Sequence, residues 1–282
     1  MRITVSPGVR LYVDVDGFGQ VPDGPVLRDK PTLLLLHGGP GFDHSSFKPA
    51  FGAFTDICQV IAYDHRGHGR SDPRPPDEWT LDTWADDVVR LCDALGIERP
   101  IVLGQSFGGF VAQRYLARHP GHAGKVILSS TSAAFNLPRK LDRFAQLGGP
   151  SARALAEAFW TARDEANTAA YLTQLMPLYN PRPPADPDAR HRGRLRPDIL
   201  RHFIVHEMPG MDLAPGLAAA RCPVLVLAGA DDPVCPVADS EDIFHALPPG
   251  LAELRVLPGC GHGTWRDDPD AAFAVLRRFI TS

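Results

Sequence analysis

The chain has 282 residues, 44% of them hydrophobic, which suits one large α/β domain with an insertion better than two independent domains. A net charge of −4 excludes a general electrostatic attraction to nucleic acid or to an anionic membrane and leaves a small molecule as the expected partner. Five cysteines, Cys58, Cys92, Cys222, Cys235 and Cys260, are odd in number and widely spaced, with no Cys-X-X-Cys pair. That pattern argues against a zinc site and a disulfide framework and suits a reducing cytoplasm.

The N-terminal stretch MRITVSPGVRLYVDVDG alternates apolar and polar residues from Val9 to Val15 and lacks a continuous apolar run, so it predicts a strand and not a signal peptide. No run reaches membrane-spanning length, and there is no repeat at solenoid spacing. Gly17 to Pro31 reads as a connection with a short strand around Val26 and Leu27. Thr32 to Leu36 (TLLLL) has the pattern of a fully buried strand, and it ends in His37-Gly38-Gly39-Pro40-Gly41. Such glycines can be a plain tight turn. Directly after a buried strand they also let backbone N–H groups approach a ligand closely, as an oxyanion hole requires.

Tyr63-Asp64-His65-Arg66-Gly67-His68-Gly69-Arg70-Ser71 follows. Its two histidines have no carboxylate or cysteine at metal-ligand spacing beside a strand, so they predict a structural loop. Thr80 to Leu95 predicts an amphipathic helix: Leu81, Trp84, Val88, Leu91 and Leu95 share a face, Thr80 caps the start and Gly96 closes the end.

Ile101 to Gln113 (IVLGQSFGGFVAQ) runs from a strand into a helix across Gly104-Gln105-Ser106-Phe107-Gly108, a Gly-X-Ser-X-Gly sequence. The pentapeptide alone arises by chance in many proteins. Here the strand Ile101-Val102-Leu103, the turn and a helix ending near His119-Pro120-Gly121 are all present, which marks a nucleophile elbow with Ser106 at the break. Lys125 to Ser129 predicts the next strand.

Thr131 to Pro215 breaks the alternation. Helical patches at Leu141–Leu147, Ala152–Ala162, Ala166–Leu175 and Ile199–His206 are separated by proline-rich segments such as Asn180-Pro181-Arg182-Pro183-Pro184, predicting a helical cap over the mouth of a site. The arginines at 182, 190, 192, 194 and 196 read as a solvated loop, since no aromatic platform is interleaved with them. Pro223 to Ala228 resumes the buried strands and leads to Gly229-Ala230-Asp231-Asp232. Leu254 to Leu257 is the last predicted strand, followed by Gly259-Cys260-Gly261-His262-Gly263 and a closing helix from Asp268 to Ile280.

His37 to Gly41 together with Gly104 to Gly109 resembles the α/β-hydrolase fold, and the HGGPG form resembles the proline iminopeptidase family within it. Tyr63 to Ser71 is similar to the Asp-X-Arg-Gly-X-Gly-X-Ser segment of those enzymes, and the likeness covers most of the chain outside the middle third. The resemblance implies a mostly parallel central sheet flanked by helices, with a core domain of residues 1–130 and 216–282 and a helical cap of 131–215. It also implies a triad in the chain order Ser106, Asp232, His262. Asp232 is preferred over Asp231 because the family's pattern has two residues between the glycine and the acid. The oxyanion donors are then the backbone N–H groups of Gly39 and Phe107, and no metal or organic cofactor is required.

The family grips a substrate's free amino terminus with acidic cap residues, and Arg201 and Pro233 depart from that pattern. Glu157, Glu165, Glu207 or Asp212 could substitute, whereas His202, Phe203, His206, Met208 and Met211 suit a neutral, apolar ester or lactone. Gly38, Trp160, His206, Glu207, Met208 and Met211 are the substrate-binding candidates. A serine hydrolase acting on an ester, lactone or amide is the expected activity, proline-iminopeptidase-like or a lactonase or carboxylesterase. A cofactor-free perhydrolase would carry the same triad. Ser106 at the elbow opposes epoxide hydrolases and haloalkane dehalogenases, which attack with a carboxylate, and a complete triad opposes a silent ligand receptor. The sequence is compatible with a homodimer.

Overall fold

From Thr32 onward, short runs apolar on every residue alternate with segments apolar on one stripe, the pattern of strands covered on both faces by helices. The computed structural model describes residues 1–162, 164–183, 186–189 and 191–282; Arg190 and Pro184, named above, lie outside the described residues. The main sheet has eight strands in the order β1 (Arg2–Ser6), β2 (Val9–Asp16), β6 (Gln59–Tyr63), β5 (Thr32–Leu36), β7 (Ile101–Gln105), β8 (Lys125–Ser129), β9 (Val224–Gly229) and β10 (Ala252–Leu257). β1, β2 and β6 pair antiparallel, and every pair from β6 to β10 is parallel.

Two departures from the expected strands lie near the N-terminus. A further strand, β1, precedes Val9; it is an edge strand with mostly exposed or half-buried residues, so it lacks a strong apolar pattern. The connection after β2 holds two strands, β3 (Gln20–Asp23) and β4 (Val26–Asp29), which pair with each other as a separate hairpin.

The alternation along β5 explains its unbroken run of leucines. Leu34 and Leu36 belong to the core on one face, with Trp84, Val88, Val111 and Leu116 from α1 (Leu81–Leu95) and α2 (Phe107–Arg118). Leu33 and Leu35 belong to the core on the other face, with Phe47, Phe51, Phe54, Leu276 and Phe279. Each such side chain contributes about 1.5–3 kcal/mol when fully buried. Thr80 Oγ1 accepts from Thr83 N at the start of α1, and Gly96 ends it in the left-handed region at φ 65°. All five cysteines are unpaired and buried, and burial pushes the thiols of Cys58 and Cys92 up to about 11 and about 12.

The segment between β8 and β9 is helical. The two patches expected at 141–147 and 152–162 are one run, α3 (Leu137–Ala162), kinked at Gly149 (φ 75°, ψ −170°) ahead of Pro150, whose ring cannot follow an unbroken helix. α4 (Glu165–Ala170) widens into a π-type turn at Tyr171–Leu175, and α5 (Pro197–His202) does the same at Phe203–Glu207. Then α6 (Ala214–Leu217) leads into β9, α7 (Val237–Ala246) joins β9 to β10, and α8 (Pro269–Thr281) closes the chain. Among the described residues no helix is long and apolar enough to cross a membrane.

α2 starts so close to the sheet that a Cβ on Gly108 would overlap the carbonyl of Leu36, and one on Gly104 would overlap the carbonyl of Gly108. Both obstacles are backbone of central elements and have nowhere to move. Gly108→Ala is therefore expected to destabilise the fold by about 3 kcal/mol or more, read from the urea midpoint. Gly121→Ala, where an added Cβ meets nothing within 4 Å, is expected to leave the midpoint close to wild type.

Candidate active site

Parallel strands end on one edge of the sheet, and the turns after β7, β9 and β10 bring Ser106, Asp232 and His262 to that edge. Ser106 sits between β7 and α2 at φ 55° and ψ −117°, a strained conformation for a residue with a side chain. Three consecutive residues at the end of β8 brace both the serine turn and the histidine turn. Ser106 N donates to Ser129 O at 2.9 Å, Thr131 Oγ1 donates to Ser106 O at 2.8 Å, and Gly263 N donates to Ser130 Oγ at 2.9 Å. Ser129, Ser130 and Thr131 do not stand out from sequence alone; their one signal is a polar run, Ser-Ser-Thr-Ser, at the end of a buried strand.

Asp232 is 1% exposed. Its Oδ1 accepts from Val234 N at 2.8 Å and Cys235 N at 2.9 Å, while Oδ2 lies 2.9 Å from His262 Nδ1. A carboxylate only accepts, so Nδ1 carries the proton and Nε2 is left with its lone pair. Asp231 turns outward instead and takes Arg143 Nη2 at 2.7 Å. The turn carrying Asp232 is also tied to the insertion, since the buried Lys140 of α3 donates to Val234 O.

The glycine loop after β5 packs on the serine turn. A Cβ on Gly38 would overlap Gln105 Oε1 and lie 3.3 Å from Ser106 Cβ. Gly39 follows at φ 135° with a cis peptide to Pro40. The N–H of Phe107, first residue of α2, is among those that helix bonding leaves over at a positively polarised N-terminus.

The insertion covers this edge. Arg196 N donates to Gly41 O at 2.7 Å, and Phe203 packs on Phe107 and Phe110 with ring centroids 5.2 and 6.0 Å apart. Trp160 packs against Phe135, Phe159 and Tyr171, and the Tyr171 hydroxyl bonds that of Tyr179, whose ring meets His262 edge-on at 5.4 Å. Met208 and Met211 are buried in the core cluster. His206 is exposed, its ring tilted against that of His202 with centroids 4.7 Å apart. Glu207, expected over the mouth, instead accepts from Leu81 N at 3.1 Å, where its charge meets the positive end of α1.

Of the other carboxylates considered, Glu157 is exposed and Asp212 accepts from Ala214 N. Glu165 lines a cleft of about 270 Å³ together with Phe159, Leu172, Leu200, Arg201 and Ile204. Arg192 and Arg196 pair with Asp186 and Asp198, and Arg182, exposed as expected of a solvated loop, also bonds Asp267 through its N–H and Nη1. Among the described residues, no group of three or more His, Cys, Asp or Glu side chains is arranged to hold a metal ion.

Residues 31–265 match the family described as alpha/beta hydrolase fold. The chain is 31% identical over 285 residues to a candidate carbamate hydrolase, RutD, of Caulobacter sp. (strain K31), covering 95% of this chain and 97% of the relative. It is 38% identical over 141 residues to a proline iminopeptidase of Clostridium botulinum, 49% of this chain and 48% of that one. Among solved structures, a proline iminopeptidase-related protein of Thermus thermophilus superposes with a TM-score of 0.77 at 28% identity, covering 100% of this chain and 96% of that one.

Behind the glycine loop lie His37, His65 and His68, all buried. His37 Nδ1 donates to Gly38 O at 2.8 Å and its Nε2 accepts from His65 N at 3.1 Å, which fixes a neutral tautomer. Neither ring nitrogen of His65 has a hydrogen-bond partner among the described residues. Burial lowers the pKa of His37, takes His65 well below the usual histidine value and brings His68 down to about 3. Unfolded, these rings titrate near about 6.5, so below that pH the unfolded chain binds more protons than the folded one. Their stabilisation is complete above about pH 6.5 and is lost as pH falls toward the folded values, each ring adding up to about 1.4 kcal/mol per pH unit. Urea midpoints between pH 7.5 and 5 are expected to fall accordingly. His65→Phe is expected to flatten the slope and, by removing two unpartnered polar atoms, to leave stability at pH 7.5 equal or higher.

Proposed function

The chain belongs to the α/β-hydrolase family, and on that premise we propose that it is a serine hydrolase that cleaves a small, neutral ester or lactone through an acyl-enzyme. The observation that carries the reading is the 2.9 Å contact between His262 Nδ1 and the buried Asp232 carboxylate. It leaves His262 Nε2 as the base and sets the imidazole in a fixed tautomer. Ser106 Oγ gives its proton to Nε2 as it attacks the acyl carbon, and Asp232 stabilises the imidazolium that forms. The oxyanion that develops is taken by the N–H groups of Gly39 and Phe107, the second at the positive end of α2. His262 then returns the proton to the departing alcohol. Water, deprotonated by the same base, releases the acid.

Substrate class follows from where the charges sit. An aminopeptidase needs carboxylates free to hold an ammonium at the mouth. Here Glu207 is committed to α1, Asp212 to its own turn and Asp164 to Asn167, and the cleft within the insertion that Glu165 lines also carries Arg201. Taken as the acyl pocket, with residues 131–215 serving as the cap, this cleft is lined mostly by apolar side chains such as Phe159, Leu172, Leu200 and Ile204, and Glu165 shares it with the opposite charge of Arg201, which favours a neutral acyl group. The carbamate hydrolase relative widens the neutral class to carbamates.

A paired assay separates the alternatives: a proline arylamide against aryl esters, lactones and an aryl carbamate, with Ser106→Ala as control. Ser106-dependent turnover of neutral substrates is expected, falling by about 10⁴-fold or more in Ser106→Ala. Near-normal activity in that variant would remove Ser106 as the nucleophile. Strong release from the proline arylamide would overturn the neutral-substrate reading.

A further inference from the structure

The turn that carries His262 is held from two sides. On the core side, Gly263 N donates to Ser130 Oγ at 2.9 Å. On the other side it is held by the insertion: His262 N donates to Tyr179 O at 2.7 Å, and Asn180 Nδ2 donates to His262 O at 3.2 Å. Both backbone polar groups of the histidine are thus satisfied by two consecutive residues of the insertion.

Asp267, five positions after His262 and 4% exposed, fastens that segment in place. Its Oδ2 accepts from Gly261 N at 2.7 Å and from Asn180 Nδ2 at 2.7 Å. Its Oδ1 accepts from Arg182 N at 3.1 Å, and its backbone carbonyl accepts from Arg182 Nη1 at 2.8 Å. One buried carboxylate therefore joins the residue before the histidine to two residues of the insertion. A Cβ on Gly261 would overlap Tyr179 O, so the two stretches meet backbone to backbone. Helix capping does not account for Asp267, because Asp268 caps α8, its Oδ1 accepting from Ala271 N at 3.0 Å.

We propose that Asp267 is a positioning residue for His262: it clasps the histidine turn to the Tyr179–Arg182 segment, so that His262 is held against Asp232 only while the insertion is docked. The inference rests on the reading of His262 as the general base. Without the carboxylate, the N–H groups of Gly261 and Arg182 lose their acceptor and Asn180 Nδ2 keeps only His262 O, so the segment that bonds the histidine's own N–H is held by fewer ties. Catalysis depends on the imidazole's placement, whereas binding of a small neutral acyl group does not, so the effect falls on kcat and not on KM.

The test uses the full-length protein with an aryl ester it turns over, far below the melting temperature. Asp267→Ala is expected to lower kcat by about 100-fold with KM nearly unchanged, the cost of displacing a reacting group by about 1 Å. Asp267→Asn is expected to fall between that variant and wild type: its amide oxygen can serve Gly261 and Asn180, but its NH2 then opposes Arg182 N. Asn180→Ala, which leaves the Gly261 bond intact, is expected to lower kcat less than Asp267→Ala, again without raising KM. Asp268→Ala removes the α8 cap and a 3.7 Å pairing with the exposed Arg182 guanidinium but no bond to Gly261, His262 or Asn180, and it is expected to lower Tm and leave kcat alone.

Wild-type kcat in folded Asp267→Ala would overturn the proposal. Should that variant not fold, wild-type kcat in both Asp267→Asn and Asn180→Ala would overturn it equally. If instead Ser106→Ala is as active as wild type, the serine-hydrolase reading fails and takes this inference with it. Ser106-dependent turnover combined with unaffected Asp267 and Asn180 variants defeats this inference alone.

Discussion

The contact on which the site depends is the approach of the first turn of α2 to the end of β5. Gly108 lies so near the Leu36 carbonyl that no side chain fits between them, and Gly104 lies equally near Gly108. Because the helix must start there, the chain has a single residue in which to turn, and Ser106 takes the strained conformation at φ 55°. Cores on both faces of the sheet hold the two backbones in place, so the strain cannot relax by moving β5 or α2 apart. The same approach sets Gly38 against Ser106. Packing energy from the whole sheet is thus expressed as the position of one hydroxyl group.

Other members of the site are placed by the parallel topology. β7, β9 and β10 end on one edge, so residues far apart in the chain meet without any of their elements having to bend. Two kinds of tie then refine the meeting. Ser129, Ser130 and Thr131 link the serine and histidine turns from within the core, while Lys140, Tyr179, Asn180 and Asp267 link the acid and histidine turns to the insertion. A lid that merely covered the mouth would need no bonds to the backbone of His262.

Strands β5, β7, β8, β9 and β10 and both glycine motifs were legible because their signals are local, whereas β6 was not read as a strand. TLLLL is apolar at nearly every position since both its faces are buried, and Gly104 and Gly108 mark sites where a methyl group has no room. β1 was not legible because an exposed edge strand needs no apolar pattern. α7 escaped for a related reason: its buried residues are Asp239, Ser240 and Ile243, which form no apolar stripe. Preferring Asp232 to Asp231 required only a spacing, and the geometry sets Asp232 beside His262. Long-range polar partners were beyond reach. Nothing near Glu207 in sequence signals that its acceptor role is at Leu81, and nothing near Asp267 signals that its donors come from Asn180 and Arg182. Those bonds exist only once the insertion has folded back over the sheet.

The central claim is that one serine hydroxyl, with His262 as its proposed base, forms a covalent bond to substrate. The most direct measurement is intact-protein mass after brief exposure to a small alkyl fluorophosphonate, followed by peptide mapping. A single adduct on Ser106, absent from Ser106→Ala and slow to form in His262→Ala, is the result predicted. An unlabelled wild-type protein, or an adduct mapping to another residue, would contradict it.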